Sequence, residues 1–302
     1  MRLARRMAGV YGSDARAIAP VNVVRTQKGS EGSSRGFAFP PVPGFFVPRR
    51  VPRDDKPPVT PDTGRMDRRL TAILTKRPLP GQVKTRLCPP LSPDEAAHLQ
   101  AAMLRDVVER CCGSSDFRSV LLYSPQGDGG WFRETFPGLE DQRPQVGEGL
   151  AQRLAHLFET TLCGDGSLRK VQTLVAVGSD QPLLSTGRIA KAHRCLEEGA
   201  DLVLGPDFGG GYYLVGQRAA HPELFTKIEM STTSMFEETV RLAESSGLTV
   251  ELLGRGYDVD VRADLERLHA ELGARFAQRA ETDPEFPRFT WSILQSLYPL
   301  KS

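Results

Sequence analysis

Between Leu70 and Leu272, short and strongly apolar runs alternate with longer segments of helical period, and this alternation restricts the fold more than any other feature. Leu70-Thr-Ala-Ile-Leu74, Ser119–Tyr123 and Val171–Val177 have the length and near-continuous hydrophobicity of strands buried on both faces. Shorter strands are expected at Leu202–Leu204, Tyr212–Val215 and Val250–Leu253. Ser92-Pro-Asp-Glu95 gives three agreeing helix-start signals: Ser at the N-cap, Pro in the first turn and Glu placed for a capping box. That helix should reach about Cys112, with Ala96, Leu99, Met103 and Val107 on one face. Gly149–Leu162 places Leu150, Leu154, Leu157 and Phe158 at helical spacing. Further helices are expected from Ser185 to about Glu198, from Thr232 to about Ser245, and over Ala263–Leu272, where Leu265, Leu268 and Leu272 recur. Such alternation predicts an α/β three-layer sandwich with a mostly parallel central sheet. Ligands of such sheets bind beyond the carboxyl ends of the strands, so the loops that follow strands carry the chemistry.

Charge separates a tail from this body. Residues 1–53 hold ten Lys/Arg against two acids, a net of +8, which leaves 29 basic and 35 acidic residues, a net of −6, for the rest. A mildly acidic body argues against nucleic-acid binding, which wants a basic face. Eight prolines between Pro40 and Pro61 permit neither period 2 nor period 3.6. Residues 1–65 therefore read as a disordered Pro/Arg-rich tail, or as sequence upstream of a start at Met66; an Arg-rich, acid-poor transit peptide is the lesser alternative. The folded α/β domain is expected at 66–275, with 276–302 as a C-terminal extension packing on it. No apolar run approaches the roughly 18–20 residues of a membrane span, and a cytoplasmic protein is expected. Cys88, Cys111, Cys112, Cys163 and Cys195 lack CxxC spacing and are expected as buried reduced thiols, not zinc ligands. The five histidines form no ligand pair and no Gly-x-Ser-x-Gly elbow occurs, which disfavours a His-dependent hydrolase.

Four loops after strands concentrate the unusual residues. Lys76-Arg-Pro-Leu-Pro-Gly-Gln-Val-Lys-Thr-Arg-Leu87 offers Lys76, Lys84 and Arg86 to a polyphosphate, with Gly81 allowing close backbone approach; a basic surface loop is the equal alternative. Val175-Ala-Val-Gly-Ser-Asp180 ends an apolar strand in a carboxylate, which suits Mg²⁺ or Mn²⁺ bridging to phosphates; Asp180 capping the helix near Ser185 is the alternative. Gly209-Gly-Gly-Tyr-Tyr213 makes a floor for ligand or a plain turn. In Gly256-Tyr-Asp-Val-Asp260 the alternation sets Asp258 and Asp260 on one side, where one could complete a metal site with Asp180; capping the next helix would also explain Asp260. Glu148, at a helix start, suits a sugar hydroxyl or a cap equally. Met230-Ser-Thr-Thr-Ser234 is explained by N-capping.

In this order, Lys76-x-Pro-x-Pro-Gly-x-Val-Lys-Thr-Arg-Leu87, Gln145-x-Gly-x-Gly-Leu150, Gly178-Ser-Asp-x-Pro182, Gly205-Pro with Gly-Gly-Tyr-Tyr-Leu214, and Tyr257-Asp-Val-Asp260 resemble the DUF2064 family of glycosyltransferases, some called radical-SAM/selenodomain-associated transferases. The resemblance covers about Leu70 to Leu272. It implies a GT-A-like nucleotide-diphospho-sugar transferase fold, also similar to that of nucleotidyltransferases such as phospholactate guanylyltransferase. It implies that Asp180 holds a metal–diphosphate and that Lys84 and Arg86 handle phosphates. The family commonly has Asp where this chain has Gly209, with Asp207 two residues earlier.

The expected activity is metal-dependent transfer of a sugar from a nucleotide diphosphate to a small-molecule acceptor. Lys76, Gly81, Lys84, Arg86 and Ser179 would bind nucleotide and phosphate. Glu148, Gly210, Gly211 and Tyr212 would shape the sugar and acceptor pocket, Asp180 and Asp260 would hold the metal, and Asp258 is the candidate base. Nucleotidyl transfer from a nucleoside triphosphate to a sugar or acid phosphate is the first alternative, and a non-catalytic nucleotide-binding protein the second.

Overall fold

A computed structural model describes residues 68–163, 171–278 and 280–297. All of them lie in Pro58–Ser302, one of the two units into which the chain divides. The expected tail, 1–65, lies outside the described residues.

Seven strands form one sheet in the order β3-β2-β1-β4-β6-β5-β7. They are β1 (Arg69–Lys76), β2 (Arg118–Ser124), β3 (Gln142–Pro144), β4 (Thr173–Gly178), β5 (Leu202–Pro206), β6 (Tyr212–Gln217) and β7 (Val250–Leu252). All neighbours are parallel except β6, which runs antiparallel to both β4 and β5. The α/β architecture with a mostly parallel sheet is as the alternation requires. β1 and β4 pair in register from Arg69↔Thr173 to Leu74↔Gly178, which brings the ends of these two strands side by side. Both are buried over nearly their whole length because helices cover them on each face.

The helices are α1 (Pro93–Cys112), α2 (Gly129–Thr135), α3 (Gly149–Leu162), α4 (Thr186–Glu197), α5 (Glu223–Thr226), α6 (Met235–Ser245), α7 (Arg262–Ala277) and α8 (Arg288–Leu297). The capping box of α1 forms as its residues dictate. The Ser92 hydroxyl accepts from Glu95 N at 3.3 Å, and the Glu95 carboxylate accepts from Ser92 N at 2.7 Å. Ala96, Leu99, Met103 and Val107 are buried, but so are Ala97, Ala101, Leu104 and Val108. Two faces are buried because Leu104 and Val108 pack into the core of the sheet, while Ala96, Leu99 and Met103 pack against α7 and α8.

Several expectations shift. The domain boundary at 275 falls inside α7, which continues to Ala277 because Leu265, Leu268 and Leu272 anchor its whole length. α6 begins at Met235, not Thr232, and Ser234 makes no side-chain cap, so N-capping does not explain Met230–Ser234. Of the cysteines, all free, only Cys111 is fully buried, and Cys112 and Cys163 are exposed. Leu150 is 39% exposed, since the first turn of α3 overhangs an opening and not the core.

Two apolar clusters position the site. The central one holds Ile73, Val175, Val177, Leu121 and Leu214 of the sheet with Leu104, Val108 and Ile189 of the helices. The second gathers Leu99 and Met103 of α1, Leu265, Leu268 and Leu272 of α7, and Trp291 and Leu294 of α8 around Leu87, Tyr257 and Val259. His193 is fully buried between the hydroxyls of Thr71, 3.1 Å away, and Thr173, 2.8 Å away. Burial and then Arg69 push its pKa down to about 3, so it is a neutral structural group.

Candidate active site

A cleft of about 510 Å³ opens at the carboxyl ends of β1 and β4 and is closed on other sides by residues 82–86, the start of α3, β6 and residues 258–260. Its floor is a buried polar network. The Ser179 hydroxyl donates to Thr75 Oγ1 and accepts from Gln100 Nε2, both at 3.0 Å. Gln145 Nε2 donates to the carbonyls of Thr75 and Leu122, each at 2.8 Å. These bonds lock the ends of β1, β2 and β4 together, since a buried polar group left unmade is costly. Arg110 of α1 donates to the carbonyls of Pro182, 2.8 Å, and Leu184, 2.5 Å, and so pins the loop that follows Asp180.

Three carboxylates and a lysine meet at the rim. The Lys84 ammonium donates to Asp180 Oδ2 at 2.9 Å and to Asp260 Oδ1 at 2.7 Å, and Arg86 donates to Asp260 Oδ2 at 2.6 Å. Burial would lower the Lys84 pKa, but Asp180 and then Asp260 hold it above its ordinary value, so it is charged. Asp260 is held below the carboxylate range by Lys84 and Arg86 in spite of its partial burial. Asp258 is pushed well above that range, first by burial and then by the negative charge of Asp180.

Tyr257 and Val259 are buried in the cluster around α1 and α7, which turns Asp258 and Asp260 toward the cleft. This segment is not a strand end: β7 stops at Leu252, and residues 253–260 are irregular, held instead by Val259 N donating to Asp180 O at 3.1 Å. Tyr213 supplies the second tie. Its hydroxyl donates to Gly254 O at 2.9 Å, and its ring lies so close to Gly205 and Gly256 that a Cβ on either would meet it at 2.4 and 2.8 Å. Glycine at these two positions serves ring packing. At Gly178 a Cβ would lie 2.6 Å from Asp180 Oδ1, so only glycine leaves that carboxylate its place.

The expected site residues divide. Lys76, Lys84, Arg86, Ser179, Asp180, Tyr212, Asp258 and Asp260 line the cleft. Gly81, Glu148, Gly210 and Gly211 do not. Gly81 is exposed with φ +72, a turn position. Glu148 is exposed at the N-cap of α3 and makes no side-chain cap. Gly210, φ +88, packs its Cα against the backbone of Thr233, and Gly211 N donates to Asp207 Oδ1 at 2.8 Å, so the glycine run forms a tight turn. Asp180 does not cap α4, because Ser185 does, accepting from Arg188 N at 3.2 Å. Thr75, Gln100, Gln145 and Arg153 also line the cleft. A run of helical spacing gave no sign of Gln100 or Arg153, whose roles depend on partners in the segments that follow β4 and β3. Arg153 is held by Gly147 O at 3.1 Å and Gln145 Oε1 at 3.2 Å.

Among the described residues no group of three His, Cys, Asp or Glu is assembled around a cation position. The donors present nevertheless fit Mg²⁺ or Mn²⁺. They are hard carboxylate oxygens, and Asp258, raised first by burial and then by Asp180, sits where a nearby divalent cation would favour its charged form. Such ions take one or two carboxylates and draw their remaining ligands from substrate phosphates and water.

The sheet order, the single antiparallel strand and the cleft over β1 and β4 are those of the nucleotide-diphospho-sugar transferase fold. A solved structure from Desulfovibrio desulfuricans G20, named as a candidate nucleotide-diphospho-sugar transferase, superposes with a TM-score of 0.64 at 26% identity, covering 76% of this chain and 94% of that one. Residues 107–232 match the family of uncharacterized proteins conserved in bacteria designated DUF2064. The 2-phospho-L-lactate guanylyltransferase of Haloarcula marismortui is 30% identical over 190 residues, 62% of this chain and 81% of that protein. The chain belongs to the DUF2064 family and is an enzyme of the transferase class. No helix among the described residues is long and apolar enough to cross a membrane.

Proposed function

We propose that this transferase catalyses nucleotidyl transfer from a nucleoside triphosphate to a small phosphorylated acid or sugar. A phosphate oxygen of the acceptor attacks the α-phosphorus, the bond from that phosphorus to the bridging oxygen breaks, and inorganic pyrophosphate leaves. The observation that carries this reading is the charge in one cleft: Lys76, Lys84, Arg86 and Arg153 line it beside Asp180, Asp258 and Asp260. Nucleotidyl transfer must hold two anions against their mutual repulsion, whereas glycosyl transfer to a hydroxyl presents one. Four cations suit two anions.

A phosphate acceptor also removes the need for a base. Its second ionisation falls near pH ~6, so the attacking oxygen is already deprotonated at neutral pH. Asp258 then has no proton to collect, and it adds its charge to a cation site whose ligands are Asp180 and Asp260. A divalent ion bound there would supply positive charge to the phosphates and orient their oxygens. Lys84 and Arg86 offset charge on the departing pyrophosphate; removing one such preorganised group typically costs about 10²–10³ in kcat. The guanylyltransferase relative supports this reading. The sugar-donor reading expected from the motifs becomes the second, favoured by the name of the Desulfovibrio neighbour.

The test is pyrophosphate release, measured with each of the four ribonucleoside triphosphates, Mn²⁺, and a panel of acid and sugar phosphates. Acceptor-dependent release is expected, together with a raised KM for the acceptor in Arg153→Met. Release of free sugar from UDP- or GDP-sugars with no pyrophosphate from any triphosphate would establish glycosyl transfer instead.

A further inference from the structure

A lysine that handles phosphates is expected to point into open space, and Lys84 does not. Its side chain is only 6% exposed, and its ammonium lies between Asp180 and Asp260 at 2.9 and 2.7 Å. Its backbone is left-handed, φ 49 and ψ 35, a conformation that residues with a Cβ seldom adopt without compensation elsewhere. Val83 and Leu87, both buried, fix the chain on either side, and Leu87 N donates to Lys84 O at 2.9 Å. The local fold thus holds the ammonium against the very oxygens a hard cation would use.

We propose that Lys84 is the resident counter-ion of the divalent-cation site, so that metal seats on Asp180 and Asp260 only as the ammonium transfers to the nucleotide's phosphates, and metal and nucleotide bind cooperatively. The inference rests on the reading of Asp180 and Asp260 as cation ligands. An ammonium has donors only, and it cannot share those carboxylate oxygens with a metal without direct repulsion between the two cations. A triphosphate supplies the acceptors that release it, and the four-carbon stem lets the charge move while the backbone stays fixed. Arg86 keeps its own hold on Asp260 Oδ2 at 2.6 Å, so that carboxylate stays oriented after Lys84 leaves. Because coupling is reciprocal, nucleotide must tighten metal binding by the factor by which metal tightens nucleotide binding.

The experiment follows free Mn²⁺ by electron paramagnetic resonance on the full chain, with and without the α,β-imido analogue of GTP, corrected by a protein-free titration of the analogue. In the native protein the analogue should tighten Mn²⁺ binding roughly ten-fold or more. Lys84→Met should bind Mn²⁺ roughly ten-fold more tightly than native without nucleotide, lose the dependence on the analogue, and lose the gain when Asp180→Asn is added. Lys84→Gln should behave alike, and thermal unfolding checks that each variant is folded. Mn²⁺ affinity that is equal or weaker in both variants, or absent in every form, overturns the proposal. If neither variant folds, the native protein decides, and an analogue that leaves its Mn²⁺ affinity unchanged overturns it. Turnover plays no part in these readings, so a failure of pyrophosphate release with all triphosphates would be recognised separately.

Discussion

Two glycines show how differently the same residue type acts at this cleft. Gly178 is required because Asp180 Oδ1 occupies the space of a Cβ, 2.6 Å away. That oxygen is the end of a side chain and can rotate aside, so Gly178→Ala should leave the thermal midpoint within a few degrees while displacing the carboxylate. A misplacement of that order is expected to cost roughly 100-fold in kcat/KM. At Gly210 a Cβ would lie 2.0 Å from the carbonyl oxygen of Thr233, and φ is +88. Backbone cannot rotate aside, so Gly210→Ala should destabilise by about 2 kcal/mol or more, read by denaturant unfolding. The reverse pattern, a destabilised Gly178→Ala with full activity, would show that Asp180 is not where the chemistry happens. Both glycines sit in motifs that drew attention in the sequence, but nothing in the sequence separates the one that clears space for a carboxylate from the one that turns the chain.

At the scale of elements, α8 is held by a single buried acid. Asp106 of α1 accepts from Phe289 N at 3.1 Å, Thr290 N at 2.7 Å and Thr290 Oγ1 at 2.6 Å, at the start of α8. The helix covers the Ala96, Leu99 and Met103 face of α1 through Trp291 and Leu294. Asp106→Ala would leave these donors buried and unpaired and should cost about 2–3 kcal/mol. Burial outweighs the donors and raises the Asp106 pKa to about 6. In the unfolded chain it titrates near 3.8. Between roughly pH 4 and 6 the folded protein therefore keeps a proton that the unfolded chain has lost, and stability falls as pH rises through that window. Asp106→Asn should remove this slope from urea-unfolding curves measured across it; an unchanged slope would assign it to other groups. None of this was legible from the sequence. α1 was predicted from one apolar stripe, and an Asp among its buried positions gives no sign of the helix 180 residues later that it caps. β3, only Gln142–Pro144, was likewise invisible, because Gln-Arg-Pro carries no strand pattern and becomes a strand only by pairing with β2. β1, β4, α1 and α3 were legible because their burial is written in local periodicity. The carboxylate pair was legible for the same reason, since Asp258 and Asp260 alternate with two buried side chains.

On the scale of the whole molecule, the cleft is built from residues between Leu74 and Asp260. Lys84 and Arg86 pair with its carboxylates and Lys76 and Arg153 are held by backbone carbonyls, while residues 1–53 carry a separate net charge of +8. That charge can still act on a polyphosphate at a distance, by raising its local concentration, and such an effect has a distinct signature. Attraction between exposed charges is screened beyond about 8 Å at 0.15 M ionic strength, whereas contacts inside a half-buried cleft persist. A chain beginning at Met66 should therefore give the same Mn²⁺-dependent thermal stabilisation by nucleotide as the full chain at 0.15 M salt or above, with any deficit confined to about 0.01 M. The comparison requires only thermal unfolding of both chains over a salt series, with Asp180→Ala in each as the reference lacking the site. A deficit that persists at high salt would mean that the sequence before Met66 contributes to nucleotide binding by more than its charge.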